Sequence, residues 1–190
     1  MGFDLAAARA NMVESQVRVA DVTDYAIQDA MRAVPRESLL APEKAYLAYA
    51  DTEVEYAPGR WLLNPRHVGK LLQALAPRPG ERALAIAAPY AALVLEAIGL
   101  EVTRLETGDL RSPAGEYALI VCEGAVAEVP PAWPEALAVG GRLGVVVREG
   151  PQIGRALLYL HSPAGVGRRD LFDCAAPLMA GFEPERRFAF

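Results

Sequence analysis

Hydrophobic residues in the first third of the chain recur at helical spacing. Val68, Leu71, Leu72 and Leu75 fall at i, i+3, i+4 and i+7, directly after Asn64-Pro65, a capping side chain followed by proline in the first turn. Similar but looser stripes follow Asp4 and Asp21–Asp24. We therefore predict helices at residues 4–19, 21–35 and 64–77, with an irregular segment at 36–60.

The remainder of the chain alternates apolar runs with turn residues. Unbroken apolar character, as in Tyr117–Cys122, is typical of strands in a sheet that is covered on both faces. Gly140-Gly141 is predicted to reverse the chain between a helix and a strand. Predicted strands cover 82–86, 101–106, 117–122 and 142–148, predicted helices cover 90–98 and 130–139, and short antiparallel strands are predicted at 156–161, 170–174 and 186–190. These elements predict one α/β domain over residues 1–190, with a helical and loop extension at 1–60 and the core at 61–190.

The stretch from Arg82 to Ala92 is the centre of this pattern. It predicts a buried strand, a very short turn and a helix that starts near Tyr90 and stops at Gly99. Open α/β sheets bind nucleotide-like ligands at such turns, which usually carry glycines because the backbone must approach the ligand closely. This turn instead contains Ala87, Ala88 and Pro89, and proline lacks a backbone donor.

Composition narrows the function classes. The 190 residues carry 19 basic and 24 acidic side chains, a net charge of −5, which argues against binding to nucleic acid or to an anionic membrane. No apolar run approaches the roughly 20 residues of a spanning helix, and no signal peptide is visible, so we expect a cytoplasmic protein. Cys122 and Cys174 lie in apolar segments and are predicted to be buried free thiols. No zinc spacing, Ser-His-Asp, Cys-His, paired-carboxylate or P-loop pattern is present.

Three stretches and the C-terminal tail have residue patterns that together span nearly the whole chain. The first stretch comprises residues 11–17 (NMVESQV) and 29–37 (DAMRAVPRE). The second is Ala48–Asp51 with Gly59 and Pro65, and the third runs from Tyr117 through YALIVCEGAVAEVPP to Leu137 and Gly140–Leu143. These stretches resemble the protein-L-isoaspartate O-methyltransferase family, and the tail at 171–173, 177 and 181–183 looks like a shortened alphaproteobacterial branch of it.

The resemblance implies a Rossmann-like methyltransferase fold and S-adenosylmethionine as the cofactor. The implied substrate is the carboxylate of an L-isoaspartyl or D-aspartyl residue in a damaged protein. That carboxylate is already a nucleophile and the sulfonium is already activated, so catalysis rests mostly on positioning the two in line. We accordingly assign no catalytic residue and no metal ligand, and we expect a protein or peptide partner. The sequence predicts no oligomeric state.

The two loops that such positioning requires both depart from the family pattern. In the cofactor loop Ala85 replaces an acidic residue, Ala87 replaces the first glycine and Pro89 replaces the last, and the loop is about two residues shorter. In the substrate loop a threonine-isoleucine-serine run is replaced by Trp61, Leu62 and Leu63. A leucine cannot donate the hydrogen bond that serine can.

A third departure is the short connection between Gly99 and Tyr117. About one helix–strand unit of the family is missing there, and the assignment of Glu106 stays open. Glu106 either binds the ribose of the cofactor at a strand end or is a solvated charge on a strand that follows the lost one. Asp109 has the same two interpretations. Glu123 follows a predicted strand at the carboxyl edge of the sheet and is a further candidate.

Other side chains have both a structural and a functional interpretation. Trp61 either stacks on a ligand or fills a vacated pocket, and His67 either packs at the surface or contacts a ligand. The tyrosines at 46, 49 and 56 either anchor their segment or line a groove, and His161 is assigned no role. The candidate cofactor-binding positions are Ala85, Ala87, Ala88, Pro89, Tyr90, Glu106 and Glu123, and the candidate substrate-loop positions are Trp61, Leu63 and Asn64.

Two functional hypotheses follow from these departures. In the first, favoured by the altered loops, the chain is a catalytically weak or silent member that keeps the scaffold for binding or regulation, with no cofactor. In the second it is a working protein-L-isoaspartate O-methyltransferase in protein repair, using S-adenosylmethionine through a loop that tolerates Ala-Ala-Pro.

Overall fold

A computed structural model describes residues 4–184. The strand predicted at 186–190 lies outside the described residues. The eight strands are β1 (Val54–Ala57), β2 (Arg60–Leu62), β3 (Arg82–Ile86), β4 (Glu101–Leu105), β5 (Tyr117–Val126), β6 (Leu137–Val147), β7 (Gly154–Ser162) and β8 (Gly165–Cys174). The five α-helices are α1 (Leu5–Met12), α2 (Tyr25–Ala33), α3 (Pro65–Leu75), α4 (Pro89–Ile98) and α5 (Ala132–Glu135).

Six strands form one mixed sheet in the order β4-β3-β5-β6-β7-β8, while β1 and β2 form a separate hairpin. Strands β4, β3, β5 and β6 run parallel, and β7 and β8 are antiparallel to their neighbours. The predicted α/β class and the antiparallel pairing at the C-terminal end are therefore confirmed. The carboxyl ends of the parallel strands form one edge of the sheet, which is the edge that binds ligands in open α/β folds.

The helices begin where the sequence predicts. Asp4, Asp24 and Asn64 each accept a hydrogen bond from a backbone N–H in the first turn of α1, α2 and α3, respectively. Helix α4 ends at Gly99, which has a left-handed φ of 104°. The first predicted helix reaches Ala20, but it changes type after Met12, with a π-helical turn at Val13–Val17 and a 3₁₀ turn at Arg18–Ala20.

The two faces of the sheet are covered unequally. Alternate residues of β3 point to opposite sides: Ala83 and Ala85 pack with the N-terminal helices, α3 and α4, whereas Leu84 and Ile86 pack with Trp133, Met179 and Phe182. Among the described residues, the second side is covered by the four residues of α5, by Leu110 in the 106–116 connection and by a non-helical C-terminal segment, Pro177–Phe182. The indole N–H of Trp133 donates to the carbonyl of Leu110, 2.7 Å away, and so ties the 106–116 connection to this face.

That connection shows the expected shortening of the fold. Residues 106–116 join β4 to β5 without a helix or strand, and β4 forms an edge of the sheet. β4 pairs directly with β3. The unit that is absent relative to the family pattern would therefore lie beyond β4.

The helix predicted at 130–139 is shorter than predicted, and Gly140-Gly141, predicted to reverse the chain between a helix and a strand, lies inside a strand. Only Ala132–Glu135 is helical, and β6 already begins at Leu137. Gly140 has a φ of 86°, and the register of β6 against β5 shifts between Tyr117 and Leu119. The glycine pair therefore belongs to a bulge, residues 138–141, which has no partner in β5 and lies between two parts of β6 that do pair with it, at Leu137 and from Arg142 onward.

The hairpin β1–β2 is a second correction, since residues 36–60 were predicted to be irregular. Pro58-Gly59 turns the chain between the strands, and Gly59 has a φ of 67°, in the left-handed region that favours glycine. Two short 3₁₀ helices, Arg36–Leu39 and Pro42–Leu47, occupy the rest of the segment. Trp61 consequently lies in β2 opposite Glu55.

None of the helices in the described part of the chain has the length and apolar character that crossing a membrane requires.

Candidate functional site at the carboxyl edge of the sheet

The turn between β3 and α4 retains a backbone conformation that normally calls for glycine. Ala87 has a φ of 43°, and its N–H donates to the carbonyl of Leu105 in β4, 2.9 Å away. The left-handed region costs an L-residue roughly 1–2 kcal/mol relative to a right-handed conformation. Helix α4 begins at Pro89, one residue earlier than predicted, and Ala88 provides no side-chain cap.

The turn is completely buried. Ala85, Ala87, Ala88 and Tyr90 are each 0% exposed, and Pro89 is buried as well. Two cavities of about 400 Å³ lie elsewhere in the structure, and neither has a residue of this turn in its walls. The five predicted positions thus lie together at the carboxyl edge, but packing covers them.

Glu123 approaches the turn from β5. It lies inside the strand, at a register shift between Val121 and Ala125, rather than after the strand as predicted. Its side chain is 1% exposed, and its two carboxylate oxygens accept separate backbone hydrogen bonds, from Ala91 in the first turn of α4 and from Leu63, 3.3 Å away. Burial raises the pKa of Glu123 to about 7, against the opposing effects of Arg36 and of the two N–H donors.

Arg36 supplies positive charge near this carboxylate, since both side chains hydrogen-bond to the backbone of Leu63. It is 0% exposed, its Nη2 donates to the carbonyl of Leu63 at 2.5 Å, and its guanidinium carbon lies 4.6 Å from the centre of the Tyr90 ring. Burial lowers the pKa of Arg36, and the nearby Glu123 charge counteracts that shift. Nε and Nη1 of Arg36 and the hydroxyl of Tyr90 are buried with no hydrogen-bond partner among the described residues.

Glu106 follows β4, the direct neighbour of β3. It therefore lies at the end of the strand beside the turn, which is the placement that the ribose-binding interpretation requires. Its Oε2, however, accepts a hydrogen bond from the hydroxyl of Tyr56 at 2.8 Å, and its Oε1 is buried without a partner among the described residues. Burial, followed by the bond to Glu106, raises the pKa of Tyr56. Asp109 is exposed and accepts from the N–H of Arg111, 2.9 Å away, within its own loop.

The candidate substrate loop has become part of the packing. Leu63 is 1% exposed, and both of its backbone groups are used, the N–H by Glu123 and the carbonyl by Arg36. Asn64 caps α3 and donates to Asp51 at 2.7 Å. Trp61 is only partly buried in β2. Of the three positions, Leu63 alone contacts the buried charges.

The C-terminal segment Pro177–Phe182 closes the edge from the other side. Ala125 in β5 makes two backbone hydrogen bonds with this segment. The N–H of Ala125 donates to the carbonyl of Pro177, and the N–H of Met179 donates to the carbonyl of Ala125, both at 2.9 Å. A Cβ on Gly124 would lie 2.5 Å from the Cγ of Met179, so the tail packs directly on the strand backbone there. The tail also contacts the hairpin turn, where a Cβ on Gly59 would meet that of Ala180 at 2.4 Å.

The histidines and cysteines lie outside this centre. His67 stacks on Phe172, and its Nδ1 is 3.4 Å from the sulfur of Cys174 and 3.6 Å from Glu53. His161 contacts the carbonyl of Leu137 at 2.7 Å. Both cysteines are buried and free, as predicted, and burial raises the pKa of the Cys174 thiol to about 12. Among residues 4–184, no group of three or more histidine, cysteine or acidic side chains is arranged to hold a metal ion.

Arg36 is the principal site residue that the sequence analysis missed. It follows Pro35, and nothing local in the sequence distinguishes it from the other basic residues.

The three loop tyrosines have different environments. Tyr49 bonds to Arg9 and Glu37 and anchors the N-terminal helices. Tyr56 donates to Glu106, and Tyr46 is 63% exposed.

Comparison with known proteins identifies the family. The protein-L-isoaspartate O-methyltransferase of Methylorubrum populi is 35% identical over an alignment that covers 92% of this chain and 96% of that protein. The chain belongs to the protein-L-isoaspartate O-methyltransferase family. The enzyme of the same name from Koribacter versatilis is 28% identical, with 94% of each chain covered. No family model matches the chain.

Solved structures of this family share the fold. A Plasmodium falciparum structure, described as a putative protein-L-isoaspartate O-methyltransferase in complex with S-adenosyl-L-homocysteine, superposes with a TM-score of 0.73 and 16% identity, and covers 90% of this chain and 97% of that one. A second protein-L-isoaspartate O-methyltransferase also gives a TM-score of 0.73, with 18% identity and coverage of 92% and 67%. The resemblance inferred from the sequence is confirmed, as is the Rossmann-like methyltransferase fold.

Proposed function

We propose that this family member does not bind S-adenosylmethionine productively and acts as a binding or regulatory scaffold for a protein or peptide. The observation that carries the proposal is the complete burial of the turn after β3, where Ala87, Ala88 and Tyr90 are 0% exposed. A cofactor of nucleoside size needs open volume beside exposed backbone donors at this place. The residues present do not fit it.

The donors of the turn support the same proposal. The N–H of Ala87 is used by Leu105, Pro89 has none, and the N–H of Ala91 is used by Glu123. The hydroxyl of Tyr56 already donates to Glu106, the acid that would otherwise accept from a ribose. Each interaction would have to break before a nucleoside could enter.

The scaffold function is supported by the open half of the same edge. Cavities of about 410 Å³ and about 400 Å³ lie beside the 148–153 loop and share the exposed side chain of Ile153. Arg66, Lys70, Arg155 and Arg168 are among their lining residues. An exposed apolar residue at the junction of two cavities that both have basic side chains in their walls is better suited to a peptide segment than to a small apolar ligand. We place this scaffold in the cytoplasm as a single domain with neither nucleic acid nor membrane as partner.

The test is calorimetric titration of the purified protein with S-adenosylmethionine and S-adenosylhomocysteine, with the Methylorubrum populi relative titrated in parallel. We expect no heat of binding at millimolar ligand from a protein whose circular dichroism is that of a folded α/β chain. Micromolar affinity would contradict the proposal.

An active methyltransferase is the second candidate, and the backbone of the turn favours it. Ala87 keeps the left-handed conformation that a glycine of the family loop would adopt, so the path of the chain survives the substitution. Transfer of a labelled methyl group to an isoaspartyl peptide by the wild-type protein would establish this candidate in place of the scaffold.

A further inference from the structure

Glu123 is held in the way that a bound carboxylate would be held. Its two oxygens accept from backbone N–H groups of two different elements, Ala91 at the start of the ten-residue helix α4 and Leu63 before α3. Backbone N–H groups at a helix N-terminus, together with a loop N–H, form a common type of anion site. Here the anion belongs to the chain itself.

Arg36 is the second and independent sign of such a site. A fully buried guanidinium is costly unless a counter-charge compensates it, and Glu123 is the charge that acts most strongly on it. Nε and Nη1 of Arg36 are buried and unpartnered among the described residues, and only Nη2 is used, by Leu63. The guanidinium is therefore retained without a full set of hydrogen bonds of its own.

We propose that Glu123 is a built-in ligand, an autoinhibitory carboxylate that occupies an anion site formed by the N–H groups of Ala91 and Leu63 beside Arg36. The inference rests on the proposed closure of the turn and names the group that closes it. Removing the side chain leaves a site of one-carboxylate size, which a small free carboxylate fills.

The experiment compares Glu123→Ala and Glu123→Gln at pH 8, where the Glu123 side chain of the wild type is ionised, in sodium formate and in sodium chloride at equal ionic strength. Both substitutions remove the charge, but only alanine vacates the space, so glutamine is the matched control. We expect formate at ten times its Kd to raise the Tm of Glu123→Ala by roughly 3–6 °C over chloride. The Tm of Glu123→Gln and of the wild type should not differ between the two salts.

The outcomes separate the possibilities. An equal formate effect in all three proteins would be a general salt effect and would overturn the proposal, as would no effect in Glu123→Ala. If Glu123→Ala does not fold in chloride, recovery of its circular dichroism in formate supports the proposal, and no recovery contradicts it. In folded samples, formate should shift the amide resonances of Ala91 and Leu63 in the alanine variant alone.

Failure of this proposal is distinguishable from failure of the proposed function. Binding of S-adenosylmethionine to the wild type would overturn the scaffold function, whatever formate does to the variants. If the wild type binds no cofactor and formate does not stabilise Glu123→Ala, the proposed function stands. The proposal that Glu123 acts as a built-in ligand is then wrong.

Discussion

The carboxyl edge of the sheet has two halves that use the same types of residue differently. At β3–β5, Arg36 and Glu123 are 0% and 1% exposed and are enclosed by helices, the hairpin and the C-terminal segment. At β6–β8, Arg155 pairs with Asp170 and Asp173 on an uncovered surface beside a cavity of about 410 Å³. One half has enclosed its charges, and the other presents them to solvent.

The two halves differ in how strongly their charged side chains interact and in whether a partner can reach them. A buried arginine and carboxylate depend on each other, because either one alone would be an uncompensated charge in a medium of low dielectric constant. Exposed pairs are screened by water and contribute little to stability, but they remain accessible to a partner. The closed half is therefore a structural unit, and the open half is where we expect binding.

The largest expected effect comes from removing one of the two buried charges, Arg36 and Glu123, which both bond to Leu63 but form no direct salt bridge with each other. Arg36→Met keeps most of the length that packs on Tyr90 but leaves Glu123 without its counter-charge. We expect a loss of about 3–5 kcal/mol in the free energy of unfolding at pH 8, measured by urea titration.

A double variant sharpens this result. Arg36→Met combined with Glu123→Gln removes both charges and should recover most of the loss, because replacing both partners of a buried pair is often close to neutral. If the losses of the two single variants add up in the double variant, the two buried charges do not interact with each other.

The next effect is a pH dependence with a defined sign. Burial raises the pKa of Glu123 from the ordinary glutamate value of 4.5 to about 7, so between these two pH values the folded protein holds a proton there that the unfolded chain has released. Stability from this group is complete below pH 4.5 and is lost as the pH rises to about 7. We expect the free energy of unfolding to fall by about 3 kcal/mol over this window.

Glu123→Gln is the control for this pH dependence of the unfolding free energy, since glutamine resembles the protonated acid and does not titrate. The titratable groups that interact electrostatically with Glu123 are Arg36, Glu106, Tyr56, Tyr90 and Cys122. Glu106 is the only other carboxylic acid among them, and the variant retains it. A slope in Glu123→Gln as steep as that of the wild type would assign the effect to another group.

A smaller effect is expected within the turn. Ala87 and Ala88 are both 0% exposed, but only Ala87 has a positive φ, 43° against −133°. Changing either residue to glycine removes a buried methyl group, and only at position 87 does the change also relieve strain. We expect Ala87→Gly to be more stable than Ala88→Gly by about 1–2 kcal/mol in chemical unfolding. Equal stabilities would show that the conformation at position 87 carries no strain.

The smallest effect is expected in the open half. Arg155→Ala removes half-exposed ion pairs with Asp170 and Asp173 and should cost less than about 1 kcal/mol, a difference that shrinks further in 1 M salt. A cost near that of Arg36→Met would remove the distinction between the two halves.

Local patterns predicted most elements of the fold correctly. Caps at Asp4, Asp24 and Asn64, the stop at Gly99 and the unbroken apolar strands all act over a few residues, and the structure confirms them. Where a local preference competed with a distant pairing, the prediction was wrong. Gly140-Gly141 has the composition of a turn, yet it forms a bulge within β6, because the flanking parts of that strand, at Leu137 and from Arg142 onward, both pair with β5.

For the candidate site, residue types alone predict that the turn after β3 lacks glycines and that the connection after β4 is short. What fills the turn follows from the packing of distant segments. Arg36, Leu63, Ala91 and Glu123 are up to 87 positions apart in the chain, and no local pattern indicates that the two charged side chains are both buried and both bond to Leu63. Their placement follows from helices, hairpin and C-terminal segment packing together at one edge of the sheet, where a charge without water must find its partner within the fold.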